Sequence, residues 1–358
     1  MDSIHNLESK VIRVMLVDDS PLAITALKRI LSSSPEIDVV GTASSGSDAL
    51  ELIPQLNPDI TCTDIHMPEM DGYELTRYVM ERFPKPILAI STSVHDGENA
   101  DNIFNILKAG AIDVFPKPRC GLDLASQEEK KRLINKIKVI SGVVVFRKFN
   151  RISSSDSLRE NVEMSLRERK ELKVIAIGAS TGGPVALLTI LKELPRDFAL
   201  PIISILHISE GFLDGCIDWL NSQCKINVKV AQHNEFPLPG FVYFAPEGSH
   251  LEMDDKGRFV YSDDPFYDNL YRPSITVTFE SIAKYYGKHA VGILLTGMGS
   301  DGVQGMKAVS EKSRLTIAQD EESSVIYGMP KLSFELGYAK FSLSLEDIIK
   351  FILSIVNM

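Results

Sequence analysis

Two short strings in the second half of the chain contain residues that could carry out acyl transfer. Gly178-Ala-Ser-Thr-Gly-Gly183 places Ser180 among glycines, and Thr296-Gly-Met-Gly-Ser-Asp-Gly302 contains a carboxylate. A serine in a G-x-S-x-G turn between a strand and a helix lies at a helix N-terminus, where N–H groups favour an oxyanion. Such a turn can instead hold a phosphate, although it lacks the patterns G-x-G-x-x-G and G-x-x-x-x-G-K-[ST]. We therefore predict a nucleophile, with an anion cradle as the rival.

A nucleophilic serine needs a histidine base and a carboxylate that orients the histidine. His207, His233 and His250 all follow apolar runs that we interpret as strands, and their spacing does not choose among them. Asp301 is the candidate carboxylate, and the rival interpretation is that it only caps the helix that follows. The order Ser…His…Asp disfavours the α/β-hydrolase fold, in which the order is Ser…Asp…His.

A second chemical site is predicted in the first half, where polar residues follow apolar runs. Asp18 and Asp19 follow the first run and Asp64 the third, while Ser91 and Lys117 follow the fourth and fifth. The carboxyl ends of parallel strands share one edge of a sheet, so these side chains should converge there. Clustered carboxylates need a cation, all-oxygen ligands favour Mg²⁺, and a lysine helps to neutralise a phosphoryl group. The rival interpretation is that the aspartates are separate helix caps.

The elements that position these residues follow from alternating apolar and amphipathic stretches. This alternation predicts an α/β protein with two doubly wound parallel-sheet domains, a (βα)5 domain and a Rossmann-like domain. We expect the first domain over 1–141, a serine-rich and charged linker over 142–172, and the second domain over 173–358. The strands are predicted at 11–17, 37–43, 59–63, 87–90, 111–115, 173–178, 201–206, 228–231, 241–245, 290–295 and 315–318.

The bulk composition argues against several classes of protein. The 358 residues suit about two domains, and the net charge of −10 argues against a nucleic-acid binder. No apolar run reaches the ~18 residues of a membrane span, and the N-terminus does not resemble a signal peptide. The four cysteines lack a C-x-x-C spacing, which is typical of reduced thiols in a cytoplasmic protein. We expect a cytoplasmic location without membrane insertion.

The first half resembles the receiver domains of two-component response regulators over about residues 11–141. The shared motifs are Val17-Asp-Asp-Ser20, Asp64-Ile-His-Met-Pro-Glu-Met-Asp-Gly72 and Phe115-Pro-Lys-Pro118. The resemblance implies that Asp64 accepts a phosphoryl group from a histidine kinase. It also implies that Mg²⁺ is held by Asp19 and Asp64 directly, by Asp18 through water and by the carbonyl group of His66.

The same resemblance assigns two further side chains and exposes one departure. Ser91 and Lys117 are implied to contact the phosphoryl group. Receivers often carry an aromatic switch residue three positions before the lysine, where this chain has Val114, and Phe115 is displaced by one position. The sequence does not decide which of the two takes part in the switch.

The whole chain resembles the chemotaxis protein-glutamate methylesterase (CheB) family. Besides the strings around Ser180 and Asp301, the shared motifs are Arg272-Pro-Ser274, Ala318-Gln-Asp-Glu321 and Tyr327-Gly-Met-Pro330. The resemblance implies that Ser180 is the nucleophile, His207 the base and Asp301 the orienting acid. It further implies that Thr181 positions the histidine, and that an amide near Met298 contributes to the oxyanion hole. No cofactor is implied there, and His250 is implied to be part of the site wall.

The family resemblance also implies an activity and its control. Glutamate methyl esters on methylated chemoreceptors would be hydrolysed to release methanol, glutamines would be deamidated, and the receiver would cover the cleft until Asp64 is phosphorylated. Three departures concern substrate choice: Ile208-Ser209 replaces Met-Pro, Glu247 replaces Gly, and Thr276 replaces Asp. Two alternatives stay open, a phospho-regulated receptor-binding adaptor with little turnover and a methylesterase that acts on a protein outside chemotaxis.

Overall fold

The computed structural model of the protein describes residues 11–91, 100–118, 126–145, 171–263 and 271–355. The chain divides into two compact units, and each is described here by itself. Most of the predicted linker over 142–172 lies outside the described residues, so the predicted domain boundaries stay a prediction. Among the helices within the described ranges, none is long and apolar enough to cross a bilayer.

The first unit contains a five-stranded parallel sheet with the order β2-β1-β3-β4-β5. This is the doubly wound sheet that the alternation of apolar runs predicts, and each predicted strand is correct to within two residues at either end. The strands are β1 (Ile12–Val17), β2 (Ile37–Ala43), β3 (Ile60–Asp64), β4 (Ile87–Ser91) and β5 (Asp113–Pro116).

Five helices connect or follow these strands: α1 (Pro21–Leu31), α2 (Gly46–Leu56), α3 (Gly72–Arg82), α4 (Ala100–Ala109) and α5 (Gln127–Ile140). Side-chain oxygens cap the N-termini of α1 and α3: Ser20 accepts from an N–H of α1, and Asp71 from an N–H of α3. Because these helices have other caps, the rival interpretation of Asp18, Asp19 and Asp64 as capping residues is wrong.

The second unit contains a seven-stranded parallel sheet with the order β14-β13-β12-β6-β7-β9-β8. The chain crosses from one side of β6 to the other, so the switch point of the topology lies at β6 and β12, where ligands bind in open α/β sheets. The strands are β6 (Val174–Ala179), β7 (Ile202–Leu206), β8 (Asn227–Val230), β9 (Phe241–Phe244), β12 (Ala290–Leu294), β13 (Thr316–Gln319) and β14 (Phe341–Leu343).

Three strands of the second unit were not predicted. Two of them, β10 (His250–Met253) and β11 (Phe259–Ser262), pair in an antiparallel ribbon apart from the main sheet. Each has only four residues, and five of the eight are polar or not buried, so the two strands lack the continuous apolar run of a buried parallel strand. The third, β14, is a three-residue edge strand.

The helices of the second unit cover the main sheet and supply much of its core. Among them, α8 contributes Ile275, Phe279 and Ile282 to a fully buried cluster with residues of β6, β7 and β12. The helices are α6 (Gly183–Leu191), α7 (Leu213–Gln223), α8 (Ile275–Tyr286), α9 (Val303–Lys312), α10 (Met329–Glu335) and α11 (Leu345–Ser354), and a 3-10 turn spans Gly287–His289. The loops at the carboxyl ends of these central strands contain the predicted chemical residues.

Candidate active site and acidic cluster

The three predicted acidic residues of the first unit lie together at the carboxyl edge of its sheet. Asp64 ends β3, and Asp18 follows the neighbouring strand β1. One carboxylate oxygen from each of Asp18, Asp19 and Asp64 lies within 4.8 Å of those from the other two. Asp18 and Asp64 are buried, whereas Asp19 is exposed to solvent. Three oxygen donors at this spacing fit a hard divalent cation such as Mg²⁺.

Lys117 brings a positive charge to this acidic cluster. Its Nζ lies 2.8 Å from Asp18 Oδ2 and 2.8 Å from Asp64 Oδ2. Burial alone would lower the pKa of the Lys117 ammonium, but its hydrogen bonds to the two carboxylates outweigh burial and hold the pKa above its ordinary value. Ser91 is buried at the neighbouring strand end, where its carbonyl oxygen accepts from the Lys117 N–H at 2.6 Å.

Two other predictions for the first unit concern His66 as a metal ligand and the choice between Val114 and Phe115. The His66 side chain is exposed and its ring nitrogens are not among the clustered donor atoms, and the role of its carbonyl group stays a prediction. Phe115 packs in a buried cluster with Leu133 and Ile137 of α5. Because successive strand residues point to opposite faces, Val114 faces the other side of the sheet. The Phe115 side chain is therefore part of the core beneath α5.

Ser180 lies in the tight turn between β6 and α6 that the glycine pattern predicts. Gly182, the residue before α6, has a φ of 78°, a left-handed conformation that favours glycine. A Cβ atom at Gly182 would lie 2.7 Å from Val325 Cβ, so glycine is also needed for space. The turn leaves Ser180 8% exposed, beside the N-terminus of α6, where backbone N–H groups favour negative charge.

The segment after β12 packs directly against this turn and holds it in place. The carbonyl oxygen of Thr296 accepts from the Ser180 N–H at 3.0 Å, and Thr296 Oγ1 donates to the carbonyl oxygen of Thr181 at 3.0 Å. The Thr296 N–H donates to Gln319 Oε1 at 2.8 Å. A Cβ atom at Gly297 would lie 2.6 Å from Ser180 Cβ. The glycine therefore allows the two segments to approach closely.

His207 is the histidine that the fold brings to Ser180 and Asp301. It follows β7, and its N–H donates to the Ala179 carbonyl oxygen at 2.9 Å, which places the histidine and Ser180 at the ends of adjacent strands. His207 Nε2 lies 2.9 Å from Asp301 Oδ2, and both side chains are almost fully buried. Ser180 follows β6, which lies between β12 and β7, the strands that lead to Asp301 and His207.

The other two candidate histidines have different partners. His233 Nδ1 accepts from the Tyr261 N–H at 3.4 Å, beside the antiparallel ribbon. His250 is fully buried, and its Nδ1 accepts from the Ser274 N–H at 3.1 Å. Burial lowers the pKa of His250 below its ordinary value, and the nearby Arg272 charge acts in the same direction. His250 therefore holds Ser274, the residue before α8, and Ser274 in turn donates to Asp301.

Asp301 accepts hydrogen bonds from the N-terminus of α8. Its Oδ1 accepts from Ser274 Oγ at 2.9 Å and from the Thr276 N–H at 3.0 Å, and its Oδ2 accepts from the Ile275 N–H at 2.7 Å. The rival prediction that it only caps the helix that follows is wrong, since the residue at the start of α9 is Gly302 and has no side-chain cap. Sequence spacing could not show this, because α8 lies more than 20 residues earlier in the chain.

These contacts determine the charge of Asp301 and the tautomer of His207. Burial alone would raise the pKa of Asp301, but the hydrogen bond and positive charge of His207, with hydrogen bonds from Thr276, lower it well below its ordinary value. An ionised carboxylate only accepts hydrogen bonds, so His207 Nε2 carries a hydrogen, and in the neutral imidazole Nδ1 keeps the lone pair. Nδ1 is buried and has no hydrogen-bond partner among the described residues. The geometry therefore leaves Nδ1 as the ring nitrogen that can accept a proton.

Two of the sequence departures have structural roles around this pair. Thr276 Oγ1 accepts from the Gly302 N–H at 2.8 Å, so Thr276 fixes the turn that carries Asp301. The Glu247 carboxylate accepts from the N–H groups of Gly211 and Leu213 at 3.0 Å, and it therefore stabilises the start of α7, just after His207. The sequence marks both positions as unusual but does not reveal their partners.

The remaining site predictions concern Thr181 and Met298. Thr181 is buried in the turn that follows Ser180, and Met298 is half-buried in the segment that follows Gly297. Their predicted roles, in positioning the histidine and in the oxyanion hole, stay predictions.

Comparison with known proteins gives one family match in each half of the chain. Residues 14–126 match the family model of the response regulator receiver domain, and residues 175–352 match that of the CheB methylesterase. A protein-glutamate methylesterase/protein-glutamine glutaminase of Methanospirillum hungatei is 38% identical over 346 residues, which cover 96% of this chain and 98% of the relative. The chain belongs to the CheB methylesterase family. Another protein-glutamate methylesterase/protein-glutamine glutaminase, from Syntrophus aciditrophicus, is 37% identical over 97% of this chain and 99% of its own length.

One similar solved structure is a catalytic domain from the CheB family. The catalytic domain of the Thermotoga maritima CheB methylesterase is 36% identical, with a TM-score of 0.48, and covers 51% of this chain and 98% of that domain. As in the family, a receiver domain here precedes a methylesterase domain.

Proposed function

We propose that the protein hydrolyses glutamate methyl esters on methylated chemoreceptors and releases methanol, and that phosphorylation of Asp64 increases this activity. The observation that carries the proposal is the buried pair of His207 and Asp301, beside Ser180 at the switch point of a parallel sheet. Family membership supports the substrate class, since the relatives are protein-glutamate methylesterases. Because the proposed substrate is the cytoplasmic domain of a chemoreceptor and the proposed phosphodonor is a histidine kinase, we place the activity in the cytoplasm.

The first half of the proposed reaction forms an acyl-enzyme. As Ser180 Oγ bonds to the side-chain ester carbonyl carbon, its proton passes to His207 Nδ1. Backbone N–H donors around the Ser180 turn, with that of Met298 among them, stabilise the oxyanion, and Thr181 helps to position the histidine. The imidazolium is stabilised by the ionised carboxylate of Asp301. The protonated Nδ1 then donates its proton to the methoxy oxygen as the carbon–oxygen bond breaks, and methanol leaves.

The second half regenerates the serine. His207 Nδ1 accepts a proton from a water molecule as the water oxygen bonds to the acyl carbon, and it returns the proton to Ser180 Oγ when the acyl bond breaks. The product is a free glutamate side chain. The same steps would deamidate a glutamine, with ammonia as the leaving group, as the names of the relatives suggest. None of these steps needs a cofactor.

In the receiver unit, we propose that Asp64 accepts the phosphoryl group from a histidine kinase. Mg²⁺ would be held by Asp19 and Asp64, by Asp18 through water and by the carbonyl group of His66, and would neutralise the charge of the phosphoryl group. The proposal is supported by the spacing of the three carboxylates within 4.8 Å.

Two further residues complete the proposed phosphorylation site. Lys117 Nζ, which lies 2.8 Å from the acceptor carboxylate of Asp64, would pair with the phosphoryl oxygens. Ser91, at the end of the strand next to β3, would donate its hydroxyl hydrogen to the same group. The resulting shift in contacts would favour the active state of the protein.

The test is methanol release from methylated receptor cytoplasmic domains, measured with Mg²⁺ in the presence and absence of a small-molecule phosphodonor. We expect release that increases with the phosphodonor and that falls to background in Ser180→Ala. Ser222→Ala, a serine substitution on α7 of the same unit, is the matched control and should retain activity. Release that persists in Ser180→Ala contradicts the proposed nucleophile. Absence of release from several receptors would instead favour the adaptor hypothesis or a substrate outside chemotaxis.

A further inference from the structure

Tyr271 covers one face of the imidazole ring of His207. The two ring centroids lie 4.2 Å apart and the ring planes differ by only 5°, so the rings are stacked in parallel. The His207 side chain is 7% exposed. Tyr271 lies just before the motif Arg272-Pro-Ser274.

The position of Tyr271 connects three parts of the site. Its ring stacks on His207, and its Oη would lie 3.9 Å from a Cβ atom at Gly299, in the turn that leads to Asp301. Three residues later, Ser274 Oγ donates to Asp301 Oδ1. The short segment from Tyr271 to Ser274 therefore contacts both members of the pair, the base through a ring face and the acid through a hydrogen bond.

The stack restrains a motion that the hydrogen bond to Asp301 leaves free. A single bond at Nε2 fixes one edge of the imidazole, but the ring can still tilt about that bond, which would move Nδ1 away from the serine. A parallel aromatic ring at 4.2 Å blocks this tilt on one side. The electron-rich face of the phenol ring also attracts the positive charge that the imidazole gains when it accepts a proton.

We propose that Tyr271 is a positioning residue that holds His207 in the reactive orientation and stabilises its imidazolium form through ring stacking. The inference rests on the proposed function, in which His207 accepts a proton in both halves of the reaction. The ring face carries this effect, so phenylalanine should replace tyrosine and an aliphatic side chain should not.

The experiment compares Tyr271→Phe and Tyr271→Leu with the full-length wild-type protein in methanol release. We expect Tyr271→Phe to retain kcat within about twofold, and Tyr271→Leu to lose roughly tenfold in kcat, with KM changed less than about twofold. In Tyr271→Leu the acidic limb of the pH–rate profile should move to lower pH, because the protonated imidazole loses its aromatic neighbour. Among the described residues, Asp301 is the charged group hydrogen-bonded to the imidazole, and it is the same in both variants.

A second readout does not depend on turnover. An NMR titration of the histidine ring signals, with His207 assigned by its loss in His207→Gln, should give a lower midpoint in Tyr271→Leu and an unchanged midpoint in Tyr271→Phe. This pattern would support the stack even if receptor demethylation itself were not observed. Equal losses in both variants would overturn the proposal, since the hydroxyl group would then be responsible. An unchanged midpoint and unchanged kcat in Tyr271→Leu would overturn it as well.

Discussion

Asp301 shows how a single carboxylate can orient a base and hold a fold together. It accepts from the imidazole of His207 and from the first turn of α8, with Ser274 Oγ and the Thr276 N–H among its donors. The donors keep it ionised, and its burial strengthens each of these interactions. An amide at this position has the same shape, but it is neutral and can donate a hydrogen bond to the imidazole.

Asp301→Asn is therefore expected to lower kcat for methanol release by roughly 1000-fold, because the amide permits the wrong tautomer of His207. The measurement is the initial rate at saturating methylated receptor. Asp218→Asn, an exposed aspartate on α7, is the matched control and should retain wild-type activity. A loss smaller than about tenfold would mean that Asp301 does not orient the base.

Asp301→Asn also allows a prediction of how the free energy of unfolding changes with pH. The pKa of Asp301 in the folded protein is lower than its ordinary value of 3.8, so its contribution to stability is fully present above that value and is lost as the pH falls below it. Asp301→Asn should be less stable than wild type at pH 7, and the difference should shrink as the pH falls below about 4. Urea unfolding, followed by the fluorescence of Trp219, the single tryptophan of the chain, reports on this unit. A difference that stays constant with pH contradicts the assignment.

Among the secondary-structure elements, the β6–α6 turn shows how backbone geometry positions Ser180. Gly182 ends this turn with a φ of 78°, and Gly248 has the same φ in another loop. The two positions differ in space: a Cβ atom at Gly182 would lie 2.7 Å from Val325 Cβ, whereas nothing lies within 4 Å of one at Gly248. Substitutions at Gly182 and Gly248 can therefore separate the effect of backbone strain from that of crowding.

Gly248→Ala should lower the free energy of unfolding of the second unit by roughly 1–2 kcal/mol, because of the left-handed backbone alone. Gly182→Ala should cost about 1–3 kcal/mol more, because the methyl group crowds Val325 and displaces the turn. Only Gly182→Ala should also lower kcat for methanol release. The measurements are urea unfolding by Trp219 fluorescence and initial rates. Equal effects of both substitutions on stability and kcat would show that the contact with Val325 is unimportant.

Across the whole molecule, two chemically different sites stand on two separate parallel sheets. The first unit holds the acidic cluster of Asp18, Asp19 and Asp64, where we propose phosphorylation, and the second unit holds the serine, histidine and aspartate. If phosphorylation controls hydrolysis, removal of the acceptor carboxylate must uncouple the two sites without any change in the second unit.

Asp64→Asn should abolish the response to the phosphodonor. In wild type we expect a rate increase of roughly tenfold with phosphodonor, a typical size for coupling between two sites. In Asp64→Asn the ratio of rates with and without phosphodonor should be close to one. Glu81→Gln, an exposed residue on α3 with the same change of charge, should keep the wild-type response. A full response in Asp64→Asn would rule out Asp64 as the control point.

The amino-acid sequence by itself determined the parallel strands of both sheets, apart from the three-residue edge strand β14, and the turn that presents Ser180, because these depend on local patterns of apolar residues and glycines. Contacts between distant segments were decided only by the tertiary structure. Of the three candidate histidines, it placed His207 against Asp301, because His207 follows β7, the strand that pairs with β6. It also turned Asp301 toward α8 and stacked Tyr271 on the base. Spacing along the chain does not encode these contacts, because strand order and helix packing bring their partners together.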